Sequence, residues 1–166
     1  MKKLWMFAIT GLILSSCSAQ NNEKRKSPHD TVSNNNIEVT YGRPYKKGRV
    51  IFGGLEKYGE VWRTGADEAT VITFKKDGTF GGQAVKAGSY ALFTIPGEKE
   101  WSVILNGVTK QWGAYDYDKN KDKDVLKITL PVKTLAAPLE QLTISLPAKA
   151  VVISWDTSEI SVPVSF

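Results

Sequence analysis

The chain has 166 residues, a formal charge of +5, one cysteine and one histidine. That length suits one domain plus a leader. The lone cysteine excludes an internal disulfide, and the lone histidine excludes a histidine-rich metal site. The basic residues, scattered apart from Lys24-Arg25-Lys26 and Lys46-Lys47, do not point to nucleic acid.

Met1-Lys2-Lys3 is a short cationic start, and residues 4–14 are apolar apart from Thr10 and Gly11. A bilayer span needs about 20 apolar residues, so this run reads as a signal-peptide core. Leu14-Ser15-Ser16-Cys17 follows and resembles the bacterial lipobox, in which small residues lead into the cysteine that is lipidated. The expectation is cleavage before Cys17 and acylation of its thiol, each buried CH₂ contributing about 0.8 kcal/mol to membrane attachment. Loss of residues 1–16 removes Lys2 and Lys3 and leaves 20 basic against 17 acidic residues, a mature charge of +3. No Asp follows Cys17, and no acidic run follows it either. By resemblance to sorting rules for such proteins, an outer-membrane anchor facing the periplasm is expected.

Residues 18–36 are almost wholly polar. The expected division is a leader over 1–16, a flexible tether over 17–27 and a single domain over 28–166. The part from Ser27 onward is expected to begin the first strand. Period-two alternation or β-rich composition then marks strands over 37–41, 69–74, 89–95, 101–106, 125–130, 142–146, 151–155 and 160–164. Val151, Ile153 and Trp155 share one face, as do Ile160, Val162 and Val164, with Pro163 opposite as on an edge strand. Asp77-Gly78, Gly81-Gly82 and Asn106-Gly107 punctuate the chain, and the Asp-Gly and Asn-Gly pairs suit hairpin turns. The one helical candidate is a turn or two over 55–59. About eight to ten short strands with long ordered loops imply an all-β fold, a jelly-roll-like or Ig-like β-sandwich.

Residues 41–70 carry too much Gly, Arg, Trp and Tyr for a plain strand and are too apolar for disorder. Long ordered loops are frequent binding loops. Gly42-Arg43-Pro44, Ile51-Phe52-Gly53-Gly54-Leu55, Tyr58-Gly59-Glu60-Val61-Trp62-Arg63-Thr64-Gly65-Ala66, Ala87-Gly88-Ser89-Tyr90-Ala91-Leu92-Phe93-Thr94-Ile95-Pro96 and Gln111-Trp112-Gly113-Ala114-Tyr115 resemble the family called domain of unknown function 2911. The similarity extends over nearly all of residues 27–165. It implies a secreted or lipid-anchored bacterial protein and supplies no reaction.

Candidate ligand-binding residues are Arg43, Trp62, Arg63, Asp67, Glu68, Trp112 and Tyr115. Arg63 is expected either to fork onto an anionic ligand or to pair with Glu60, Asp67 or Glu68. Trp112 and Tyr115 offer faces for a sugar or another flat ligand, or else plug one end of the sandwich. Arg43 and Arg49 either bind an anion or satisfy nearby carbonyls. His29 stands alone, without a Gly-x-Ser-x-Gly nucleophile elbow, and is not expected to be catalytic. Asp67 and Glu68 are neighbours, so in extended chain they would point to opposite faces. The aspartates over 116–124 fit no EF-hand spacing. No metal and no cofactor are expected. The leading reading is a lipid-anchored, non-catalytic binding module for a glycan or a small polar or anionic molecule. The alternatives are an envelope- or glycan-directed hydrolase with Glu60, Asp67 or Glu68 as acid/base groups, and a structural envelope protein without a ligand.

Overall fold

The computed structural model describes residues 25–166. The expected leader, Cys17 and most of the tether lie outside the described residues. Ten strands run through the described chain: β1 (His29–Ser33), β2 (Ile37–Gly42), β3 (Thr70–Phe74), β4 (Gly78–Phe80), β5 (Gln83–Val85), β6 (Gly88–Ile95), β7 (Glu100–Asn106), β8 (Asp124–Pro131), β9 (Lys133–Ser145) and β10 (Ala150–Ser165). They form a six-stranded sheet in the order β1-β2-β3-β6-β7-β8 and a four-stranded sheet in the order β5-β4-β10-β9. All pairings between these strands are antiparallel. The fold is the expected all-β sandwich.

Alternation decides which side chains fill it. Ile37, Val39 and Tyr41 of β2, Trp101, Val103 and Leu105 of β7, and Val151, Ile153, Trp155, Ile160 and Val162 of β10 are all buried in the interior. One end of this core is aromatic. Trp62 stacks on Trp155 with centroids 5.9 Å apart, and Phe52 meets Trp101 edge-on at 4.5 Å. Tyr41 reaches from one sheet to the other, where its hydroxyl oxygen accepts the Ile144 N–H at 3.0 Å.

Four details differ from the sequence reading. The helical turn expected over 55–59 is a set of turns, and the α-helix among the described residues is α1 (Tyr117–Asn120). Its Tyr117 packs on Phe93 at 5.1 Å and belongs to a small cluster with Ala69, Ala91 and Ile104. The two apolar runs of 151–155 and 160–164 are one long strand, bent at Asp156, which sits at φ 51° amid register shifts. Pro163 is therefore not on an edge strand, yet it lies beyond the last β9 partner at Glu159, so its missing N–H interrupts no β9 pairing. Asp77-Gly78 and Asn106-Gly107 do not close hairpins, because the first joins strands of different sheets and the second opens a long loop. Gly81-Gly82 does close one: both glycines have positive φ between the paired Phe80 and Gln83.

Candidate functional site

The segment 41–70 is an ordered loop because its polar groups are tied to both sheets. Gly42 permits the crossing: a Cβ there would run into the Ala66 carbonyl, and the Gly42 oxygen accepts the Ala66 N–H at 3.2 Å. Trp62 pairs with Thr94 of β6 through reciprocal main-chain bonds of 2.7 and 2.9 Å. Thr64, fully buried, sets its hydroxyl against that of Thr94 at 3.1 Å. Arg43 spans the sandwich: its Nε donates to the Leu142 carbonyl at 2.9 Å, Nη2 to Thr143 at 3.1 Å, and Nη1 to Asp30 at 3.3 Å.

The loop 107–123 is organised by two buried amides. Asn106, fully buried, donates through Nδ2 to the Asn120 carbonyl and to Asp124, both at 2.8 Å. Its Oδ1 accepts the Val108 N–H at 2.9 Å and a bond from Gln111 Nε2 at 3.3 Å. The Gln111 carbonyl accepts the Ala69 N–H, and the Asp67 carbonyl accepts the Gly113 N–H. A bridge between Glu68 and Trp112 completes the seam. The Tyr117 hydroxyl donates to Asp124 at 2.6 Å, and burial together with that carboxylate pushes its pKa upward.

Residues 25–27 lie against this seam. Asp67 stands at φ 65°, a left-handed conformation that Asp tolerates better than most residues. Its carboxylate accepts the main-chain N–H of Lys26 at 3.3 Å and of Ser27 at 3.2 Å. Glu68 turns the other way and takes a forked contact from Arg25, with Nε at 2.9 Å and Nη2 at 2.7 Å from Oε1. His29 Nε2 lies 3.1 Å from the second oxygen. Burial raises the Glu68 pKa, but the Arg25 hydrogen bonds and charge outweigh it and hold the carboxyl below its usual range.

Two cavities flank this rib. One, of about 330 Å³, is lined by Arg25, His29, Glu68, Gln111 and Trp112, with Thr40, Ala69, Val71, Thr109 and Lys110. Trp112 remains 43% exposed, so its ring is open to a partner. The other, of about 210 Å³, is lined by Lys26, Arg49, Glu56, Arg63 and Asp67 over a floor that includes Trp155. The adjacent carboxylates Asp67 and Glu68 thus serve different cavities.

The sequence candidates divide accordingly. Glu68 and Trp112 share the first cavity; Arg63 and Asp67 share the second. Trp62 is 2% exposed and donates its indole N–H to the Gly65 carbonyl, which makes it a core residue. Arg43 is a brace between sheets, Tyr115 points to solvent at 79% exposure, and Glu60 is exposed on a separate turn. Arg63 forms no ion pair with Glu60, Asp67 or Glu68, and its buried Nε has no hydrogen-bond partner. A buried donor left unpaired costs about 1–3 kcal/mol. Among the described residues no group of His, Cys, Asp and Glu could hold a metal ion, and no helix is long and apolar enough to cross a membrane.

Arg25, His29, Asn106, Gln111 and Glu56 were not picked out as site residues by sequence. His29 and Glu68 are 39 positions apart, and only the folded seam joins them.

Residues 23–164 match the family described as "Protein of unknown function (DUF2911)". The chain belongs to the DUF2911 family. No curated protein and no solved structure is significantly similar to it. The DUF2911 match includes the rib of residues 25–27 as well as both cavities.

Proposed function

We propose that this DUF2911 protein is a lipid-anchored, non-catalytic binding module of the bacterial envelope, held at the outer membrane through Cys17 and facing the periplasm. Its ligand site is the Trp112 cavity, and the ligand is a glycan or another small polar molecule. The observation that carries this reading is an exposed indole in the wall of a cavity that is also lined by a carboxylate, a guanidinium and an imidazole. A sugar places its C–H face on such a ring and its hydroxyls on such polar groups. The Glu68 carboxylate is already paired with Arg25 and beside His29, an arrangement that orients acceptors and does not free an acid or base. Asp67 and Glu68 line different cavities, and Glu60 lies exposed on a separate turn, so no two of these carboxylates are paired for acid/base work.

The test is a thermal-shift screen of envelope oligosaccharides on the full chain in detergent, with Trp112→Ala alongside. A bound sugar raises the unfolding temperature by mass action. The rise is expected for the natural chain and not for Trp112→Ala. Release of reducing sugar during the screen would replace binding with hydrolysis. Mass spectrometry of the native protein should find an N-terminal, acylated Cys17; a bare thiol there removes the anchor from the proposal.

A further inference from the structure

The second cavity has no part in the glycan reading, and its charges are answered differently. The chain has four arginines. Arg25 forks onto Glu68, and Arg43 bonds to Leu142, Thr143 and Asp30. Arg49 donates Nε to the Lys46 carbonyl at 2.9 Å and Nη2 to that of Tyr45 at 2.5 Å. The Arg63 side chain has no hydrogen bond to any described residue, although its Nε is fully buried.

The acidic residues around it do not complete it. Asp67 has both oxygens turned to the main-chain N–H groups of Lys26 and Ser27. Glu56 lines the same cavity but makes no ion pair with Arg63 or Arg49. Burial lifts its carboxyl above the usual range, while the charges of Arg63 and Arg49 pull the other way. Lys26, Arg49 and Arg63 therefore face a cavity in which one carboxylate is engaged by main-chain N–H groups and the other forms no ion pair with them.

We infer that this cavity is a binding site for a small oxyanion, a carboxylate or phosphate group, held by Arg63 with Arg49 and Lys26. A planar guanidinium offers paired N–H donors that match such a group, and partial burial of Arg63 strengthens the attraction. The volume of about 210 Å³ suits a compact anionic head. A neighbouring hollow of about 350 Å³ shares Lys26, Pro44 and Arg49 and adds Tyr45 and Lys47, leaving room for the rest of an organic acid or phosphate monoester.

Isothermal titration of the full chain with inorganic phosphate, phenyl phosphate and succinate, against chloride at equal ionic strength, tests the site. Saturable binding of at least one of these is expected; binding by the phosphates alone assigns a phosphate ligand, and by succinate alone a carboxylate ligand. Arg63→Gln should weaken it by about tenfold or more, the scale of one lost charge-assisted contact. Glu56→Gln, which removes a competing acid, should tighten it severalfold. Trp112→Ala should leave it unchanged, which separates this site from the glycan cavity. If Arg63→Gln does not fold, Arg49→Gln and Glu56→Gln carry the same comparison. Absence of saturable binding, or equal affinity in folded Arg63→Gln or in both of the other two variants, overturns the inference.

Discussion

The two cavities share the rib of residues 25–27 and differ in how their charges are partnered. Beside Trp112, Glu68 has both oxygens contacted by Arg25 or His29, and the open feature is an aromatic face. Beside Trp155, the aromatic face is buried and the open feature is a guanidinium without a hydrogen bond. Adjacent residues Asp67 and Glu68 create the division, because a left-handed turn at Asp67 sends their carboxylates apart. Residue type alone does not mark a site: of the candidate tryptophans Trp62 and Trp112 and the candidate arginines Arg43 and Arg63, the fold uses one of each as framework.

The largest expected difference is between the two tryptophans. Trp62→Ala should destabilise the chain by about 3–5 kcal/mol, as for large core truncations. Trp112→Ala should stay within about 0.5 kcal/mol of the natural chain, as for surface changes. Urea unfolding followed by fluorescence measures both, and similar losses would mean that Trp112 is a plug and not a binding surface.

The shared rib comes next. Asp67→Ala loses the acceptors for Lys26 and Ser27 and places Ala in a left-handed conformation, together worth about 2 kcal/mol. Asp67→Asn keeps an acceptor and tolerates that conformation, so its unfolding midpoint should fall far less. Equal losses would show that the rib is not held through Asp67.

The smallest effect belongs to Glu68. Its folded pKa lies below the ordinary value of 4.5, so its contribution to stability is full above that value. It fades as pH falls through the lowered folded value. Glu68→Gln should cost a small drop in unfolding temperature at neutral pH, because the pair is about one-third exposed on each side. The two curves should converge in acid. A gap that persists at low pH would assign the effect to packing and not to the Arg25 contact.

Much of the sandwich could be read in advance from period two. Val151, Ile153 and Trp155, and then Ile160, Val162 and Val164, point inward as the alternation requires, because burial of one face fixes register. The bend that joins them into one strand could not be read, since it depends on Asp156, whose carboxylate pairs with Lys46 from a loop 110 positions away. Site residues were legible as types in an unusual loop, and Glu68, Trp112, Arg63 and Asp67 do reach cavities. Their grouping was not legible. His29 and Arg25 gain meaning only against Glu68, and Asn106 and Gln111 only as the buried amides that hold Trp112 in place.

By itself, then, the sequence determined the all-β class, the inward faces of the strands and the family, because these depend on local alternation and on runs of residues. Tertiary structure alone decided which tryptophan is core, which arginine is satisfied and which carboxylate meets which cation. Those outcomes depend on hydrogen-bond geometry and desolvation between segments far apart in the chain, which no local pattern encodes.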